Sequence, residues 1–103
     1  MLNEIQKAID MFIEIFRKKD SLCYVLTGAG ISKASNIPTF RGEDGLWEKY
    51  DFEEVATFSA WKKNPQKLWK LYQDGIGVIF DAKPNNAHIA IAKLEKEKLL
   101  KYV

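Results

Sequence analysis

The stretch TGAGISKASNIPTFRG, residues 27–42, holds the side chains with the clearest chemical potential in this sequence. Gly28 and Gly30 directly follow the apolar run LCYVLT, residues 22–27. Glycines at the end of a buried strand tolerate positive φ and let the backbone approach a ligand, and the N–H groups of a helix that starts there attract phosphate. Ser32 adds a hydroxyl donor. The spacing predicts a turn that binds the pyrophosphate of a dinucleotide.

The dinucleotide fingerprint of dehydrogenases continues in a different way. It requires a third glycine where this chain has Lys33, and an acidic residue at a strand end ~20 residues further on. Glu48 is near that distance but falls in a segment without a strand pattern. Because the third glycine and the second strand are absent, a generic dehydrogenase is the weakest functional hypothesis. The Gly-Ala-Gly turn taken alone fits a plain strand-to-helix connection equally well.

The residues after the turn favour a ligand-binding loop over a plain connection. Asn36 is one of the few residue types that tolerate the left-handed conformation, and Pro38 holds the residue before it extended. Phe40 and Arg41 then place an aromatic ring and a fixed positive charge near the predicted phosphate turn. Trp47 is suited to cover a ligand as a lid.

Hydrophobic periodicity and capping residues predict the elements that position these side chains. In chain order they are an amphipathic helix over 3–19, a buried strand over 22–27, a short helix over 30–35, an extended loop over 37–50, a short helix capped by Thr57 and reaching Lys62, a helix capped by Asn64 and starting at Pro65, a helix opened by Lys83-Pro84-Asn85, and the first residues of a strand over 99–103. Gly75 and Gly77 cost about 1 kcal/mol each relative to alanine, so the second long helix is expected to kink or fray there.

This order predicts an α/β layer with a parallel pair of strands at its centre. Two strands do not make a stable parallel sheet, so the sequence is interpreted as the front part of a larger domain.

Composition excludes several classes of function. The 16 basic and 14 acidic residues are spread along the chain, which gives no basic face for nucleic acid. No apolar run approaches the ~20 residues that span a bilayer, and the N-terminus lacks the pattern of a signal peptide. Cys23 is the one cysteine, so no disulfide or multi-cysteine metal site can form within these residues. A single buried, inert thiol is typical of a reducing cytoplasm.

The combined motif resembles the sirtuins, the NAD-dependent protein-lysine deacylases, from about residue 22 to 103. The matching segments are Gly28-Ala29-Gly30-Ile31-Ser32, Ser35-Asn36-Ile37-Pro38-Thr39-Phe40-Arg41-Gly42, Gly45-Leu46-Trp47 and Pro84-Asn85 with Ala87-His88. The one departure at a fixed place is Asn36, where the sirtuin pattern has glycine.

The resemblance implies an incomplete Rossmann-like, parallel-sheet NAD-binding domain. It comprises a leading helix in residues 1–20 and a motif-bearing part in residues 22–103. It also implies an acyl-lysine protein or peptide as substrate, NAD as cofactor, release of nicotinamide and transfer of the acyl group to ADP-ribose. The residues expected to bind NAD are Gly28, Ala29, Gly30, Ile31, Ser32, Pro38, Thr39, Phe40, Arg41 and Trp47. Phe40 is expected to shield the sugar, and Arg41 to order the loop.

Other sirtuin features are expected beyond Val103. These are the general-base histidine, the Gln-Asn-Ile-Asp segment and the four cysteines of a structural zinc site, so no catalytic residue or metal ligand is assigned. His88 matches the helix motif and is interpreted as a structural, hydrogen-bonded histidine.

Acyl-group recognition is suggested by one segment. Thr39 and the segment 69–72 resemble the subfamily that removes malonyl and succinyl groups, which makes Tyr72 a candidate substrate contact or a core aromatic. That subfamily has an arginine where this chain has Gly75, beside the acidic Asp74. The sequence therefore predicts no strong preference for acidic acyl groups.

Two alternatives remain open beside the deacylase. One is an NAD-consuming ADP-ribosyltransferase or NAD hydrolase on the same scaffold, and the other is a non-catalytic NAD-binding remnant. Because the base and half the cleft are expected elsewhere, residues 1–103 alone are predicted to be inactive.

Overall fold

The computed structural model describes all 103 residues, and helices dominate it. The elements are α1 (Leu2–Arg17), a first 3₁₀ helix (Ala29–Ser35), a second 3₁₀ helix (Leu46–Glu48), α2 (Phe52–Val55), α3 (Phe58–Lys63), α4 (Pro65–Asp81) and α5 (Asn86–Lys96). None of these helices has the length and apolar character needed to cross a membrane. The chain divides into two compact units, residues 1–26 with 89–103, and residues 27–88.

The first unit contains α1, which agrees with the predicted helix to within two residues at each end. No residue of α1 is buried, although its apolar side chains recur at helical spacing. Phe12 and Phe16 stack one turn apart with ring centroids 6.5 Å from each other. Leu100 is the buried hydrophobic residue of this unit.

The two predicted strands are represented by a single parallel bridge between Tyr24 and Tyr102. The N–H of Val25 donates to the Tyr102 carbonyl at 3.1 Å, and the N–H of Lys101 donates to the Cys23 carbonyl at 2.8 Å. The bridge is parallel, but neither segment forms a strand, and Leu22, Tyr24 and Leu26 are exposed, so the predicted buried strand over 22–27 is wrong. The pairing stays a bridge because two short parallel segments without further strands beside them gain little from pairing.

The second unit has a small core at the junction of α2, α3 and α4. Each helix contributes one buried residue, namely Val55, Ala60 and Leu71. The helix α2 was not expected from the sequence, because four residues show no periodicity. It starts where the Asp51 carboxylate accepts from the Glu53 N–H at 2.9 Å.

The start of α3 agrees with the sequence prediction, whereas α4 differs from it in two respects. Thr57 Oγ1 accepts from the Ala60 N–H at 3.1 Å, as expected of a capping residue. Asn64 precedes Pro65 but its side chain makes no capping hydrogen bond, so that part of the prediction is wrong. The helix also continues to Asp81 through Gly75 and Gly77, so it does not fray there. The two glycines cost less than the backbone hydrogen bonds that would be lost if the helix ended at them.

Candidate functional site

The predicted phosphate turn forms the first 3₁₀ helix. Gly28 precedes it in an extended conformation, with φ −122° and ψ −166°. Neither Gly28 nor Gly30 has a positive φ, so the freedom to adopt positive φ is not the reason for glycine here. A Cβ added at either glycine would meet no atom within 4 Å. The open space beside this backbone is what a ligand could use.

Asn36 ends this 3₁₀ helix in the left-handed conformation that the sequence predicted. Its φ is 62° and its ψ is 25°, and its N–H donates to the Lys33 carbonyl at 3.0 Å. The N–H of Ile37 then donates to the Ser32 carbonyl at 3.3 Å. Asparagine thus supplies the backbone geometry for which the related motif uses glycine.

The loop after Pro38 is closed by backbone hydrogen bonds. The Leu46 N–H donates to the Thr39 carbonyl at 2.7 Å, and the Trp47 N–H donates to the Phe40 carbonyl at 2.9 Å. Gly42, with φ 91°, lies where the chain reverses direction between the two segments that these hydrogen bonds join. Two backbone hydrogen bonds thus join residues seven positions apart across this loop.

Three aromatic rings pack on one another around this loop. The Phe40 and Trp47 rings stack with centroids 5.1 Å apart at 21°, and the Phe52 ring meets Trp47 edge-on at 5.2 Å. Stacked and edge-on pairs contribute about 0.5–1.5 kcal/mol each beyond burial. Trp47, the predicted lid, thus contacts Phe40, the residue expected to shield the sugar.

A cavity of about 830 Å³ lies within the second unit. Most of its lining is apolar, and its size falls in the range of small-molecule and cofactor sites. Six of the predicted site residues line it, namely Ala29, Ser32, Pro38, Phe40, Trp47 and Tyr72. The structure thus brings the start of the phosphate turn, the loop and the candidate substrate contact to one cavity.

The other predicted site residues lie beside this cavity. Gly28, Gly30 and Ile31 belong to the phosphate turn. The Thr39 hydroxyl donates to the Arg41 carbonyl at 2.8 Å. The Arg41 side chain is exposed in a separate recess of about 640 Å³ that Trp47 also lines. The role of each residue in cofactor binding remains a prediction.

The cavity wall also contains a hydrogen-bonded pair, Tyr50 and Asp74, that the sequence patterns did not predict. The Tyr50 hydroxyl donates to Asp74 Oδ2 at 2.9 Å, and Lys70 Nζ lies 3.6 Å from Asp74 Oδ1. The hydrogen bond to the Asp74 carboxylate raises the pKa of Tyr50, because ionisation of the phenol would remove its proton from that bond. Residues 24 positions apart make this contact, so no local pattern could reveal it.

His88 is half-buried near the start of α5 and is hydrogen-bonded through both ring nitrogens. The Asn85 N–H lies 3.1 Å from Nδ1, and Ser32 Oγ lies 3.3 Å from Nε2. A backbone N–H can only donate, so Nδ1 accepts and the proton of the neutral ring is on Nε2. These contacts agree with a structural, hydrogen-bonded histidine near a helix start.

Replacing His88 with glutamine should lower stability more than it lowers NAD affinity. A glutamine amide can still donate towards Ser32, but it offers no acceptor at the Nδ1 position for the Asn85 N–H. We expect the free energy of unfolding, measured by urea denaturation, to fall by about 1 kcal/mol. A calorimetric titration that shows lost NAD binding in a fully folded variant would overturn the structural assignment.

No group of three or more histidine, cysteine, aspartate or glutamate side chains is arranged to hold a metal ion. Cys23 is the one cysteine of the chain. Residues 1–103 therefore do not themselves supply the four cysteine ligands of a structural zinc site.

Solved structures with the same backbone arrangement are Sir2 proteins. One, described as "Structural Basis for the Mechanism and Regulation of Sir2 Enzymes", has a TM-score of 0.77 and 47% identity over 98% of this chain and 38% of that chain. Another is a point mutant of a Sir2 homologue in complex with ADP-ribose, with a TM-score of 0.74 and 46% identity over 89% of this chain and 36% of that one.

The Sir2 family model matches residues 28–103, and the chain belongs to this family. It is 48% identical over 103 residues to an NAD-dependent protein deacylase of Pyrococcus furiosus and 48% identical to NAD-dependent protein deacylase 2 of Archaeoglobus fulgidus. It is 41% identical to an NAD-dependent protein deacetylase of Sulfolobus acidocaldarius. The chain spans 38% of the length of each of these three relatives.

Proposed function

We propose that this chain is the NAD-binding part of an NAD-dependent protein-lysine deacylase. The observation that carries the proposal is the common cavity of the second unit. Residues of the phosphate turn (Ala29 and Ser32), the loop (Phe40 and Trp47) and α4 (Tyr72) line it together. One space can therefore receive a nucleotide beside an acyl-lysine.

The residues present fit a bound nucleotide. Open backbone at Gly28 and Gly30 leaves room for a pyrophosphate, and the Ser32 hydroxyl provides a donor at the cavity wall. The stacked Phe40 and Trp47 rings cover the sugar and keep water from it. Arg41, carried by the same closed loop, orders the loop around the ligand.

When bound, NAD supplies a nicotinamide leaving group and a ribose carbon that accepts the acyl oxygen. Residues 1–103 bind the nucleotide, orient it and exclude water from it. His88 has both nitrogens engaged in hydrogen bonds. It is therefore not assigned as a general base, and residues 1–103 by themselves are expected to bind nucleotide without turning it over.

The finer features of the sirtuin resemblance are part of the same proposal. The Tyr24–Tyr102 bridge supports a Rossmann-like parallel sheet that these two segments would join. The single cysteine supports a reducing, cytoplasmic compartment. A structural zinc ion would take its ligands from outside residues 1–103. The mixed charge gives no electrostatic reason to propose nucleic acid as a partner, and the deacylase relatives support a protein substrate.

The test is product analysis with NAD and an acetyl-lysine peptide, using the intact protein that carries this chain. Acyl-ADP-ribose and nicotinamide in equal amounts, dependent on the peptide, would support the deacylase. Free ADP-ribose formed without peptide indicates an NAD hydrolase, and ADP-ribosylated protein indicates a transferase. Nucleotide binding without any product would favour the non-catalytic remnant.

Succinyl-lysine should not be cleaved much faster than acetyl-lysine. The cavity wall next to Tyr72 offers Gly75 and the Asp74 carboxylate, neither of which can form a charge-assisted fork with an acidic acyl group. We expect kcat/KM for the succinyl peptide to be at most equal to that for the acetyl peptide. A several-fold preference for succinyl-lysine would contradict this assignment of the cavity.

A further inference from the structure

Asn85 makes more hydrogen bonds than the cap of a helix requires. Its Oδ1 accepts from the Ala87 N–H at 2.9 Å, which satisfies the start of α5. Its Nδ2 group makes two further bonds, to the Ile31 carbonyl at 2.8 Å and to the Ser35 hydroxyl at 3.0 Å. Serine or aspartate would cap α5 equally well, so the two donor bonds need another explanation.

Both donor bonds end on the first 3₁₀ helix, one on each side of Ser32. A 3₁₀ helix has poorer internal hydrogen-bond geometry than an α-helix, and short ones depend on their surroundings. Asn85 is half-buried, and its contacts reach 54 and 50 residues back along the chain. The amide therefore fixes the segment that carries Ser32 from outside that segment.

The backbone of Asn85 acts on the same serine through His88. Its N–H donates to His88 Nδ1, which leaves the proton of the neutral ring on Nε2, 3.3 Å from Ser32 Oγ. Ser32 then accepts from the imidazole, and its own hydroxyl proton is free to be donated elsewhere. Since Ser32 lines the cavity, that donor is available to a ligand there.

We propose that Asn85 is a positioning residue that holds Ser32 as a hydrogen-bond donor to the phosphate of a nucleotide in the cavity. The inference rests on the proposed NAD-binding function. It adds a residue that none of the sequence patterns placed in the site, because an asparagine before a helix is explained locally by capping.

The first variant is Asn85→Ser, measured by calorimetric titration of the intact protein with ADP-ribose. Serine keeps the cap of α5 and removes both donor bonds to the first 3₁₀ helix. We expect about tenfold weaker binding, the effect of one lost hydrogen bond to a charged group. Asn64→Ser is the matched control, because the Asn64 side chain also precedes a helix but makes no capping bond, and its affinity should not change.

A double-mutant cycle with Ser32→Ala separates positioning from a general structural role. If Asn85 acts through Ser32, Asn85→Ser should change affinity less than twofold in the Ser32→Ala background. An equal loss in both backgrounds, or unchanged affinity in the single variant, overturns the proposal. If the wild-type protein does not bind ADP-ribose, the proposed function fails and the positioning role fails with it. If Asn85→Ser lowers ADP-ribose affinity in the wild-type background but not in the Ser32→Ala background, the positioning role of Asn85 is supported.

Discussion

Replacing Arg41 with alanine is expected to lower NAD turnover about 10- to 100-fold while leaving the fold intact. The guanidinium makes no ion pair, since the two ion pairs of the chain are Lys67–Glu54 and Lys70–Asp74. Only the Arg41 backbone carbonyl has a role in the loop, as the acceptor for the Thr39 hydroxyl, and alanine keeps that carbonyl. An exposed side chain without partners contributes within about 0.5 kcal/mol to stability.

The expected loss in turnover has the size of one or two charge-assisted hydrogen bonds, about 1.5–3 kcal/mol. An arginine that orders the loop only when a ligand is bound would produce such a loss without any change in unfolding. The measurement is kcat/KM for NAD with an acetyl-lysine peptide in the intact protein that carries this chain, beside urea unfolding of the same variant.

Arg17→Ala is the matched control for Arg41→Ala. These two are the arginines of the chain, and Arg17 is exposed at the end of α1 and does not line the cavity. Removing it takes away the same charge and should leave turnover unchanged. Equal kinetics for wild type and Arg41→Ala would reject the role of Arg41, and parallel losses in both variants would show an effect of net charge alone.

Replacing Gly45 with alanine is expected to destabilise the loop that carries Phe40 and Arg41, by about 1–3 kcal/mol. Gly45 is buried and directly precedes Leu46 and Trp47, whose N–H groups close this loop. A Cβ there would lie 2.7 Å from the Phe40 carbonyl oxygen, and 2.9 Å and 3.0 Å from the carbonyl carbon and oxygen of Arg41. All three atoms belong to the backbone, so no side-chain rotation can relieve the overlap.

Relief of the overlap would have to come from separation of the backbones at the Phe40–Trp47 pair. We therefore expect weaker ADP-ribose binding in addition to lower stability, measured by titration and by urea unfolding. Gly77→Ala is the control for the added methyl group. A Cβ at Gly77 meets no atom within 4 Å and lies inside α4, so alanine there should raise stability by about 0.5–1 kcal/mol. Wild-type stability of the Gly45 variant would contradict the packing argument.

Local chemistry determined much of this protein. The helical spacing of apolar residues predicted α1, because that pattern can be read within the segment itself. The capping residue Thr57 predicted the start of α3. The left-handed conformation of Asn36 also followed from residue type, since asparagine adopts it at little cost. The motif around the phosphate turn was enough to indicate the Sir2 family, whose model matches residues 28–103.

Tertiary structure decided what depends on distant neighbours. The continuation of α4 through Gly75 and Gly77 reflects the whole helix, and a propensity at two positions could not predict it. The predicted strands became one bridge because a strand is defined by the strands that pair with it. The contact of Tyr50 with Asp74, and the reach of Asn85 to Ile31, join residues 24 and 54 positions apart. The sequence by itself determined the segments and their chemistry, and only folding determined which hydrogen-bond donors and acceptors meet, because those pairs are set by packing in space.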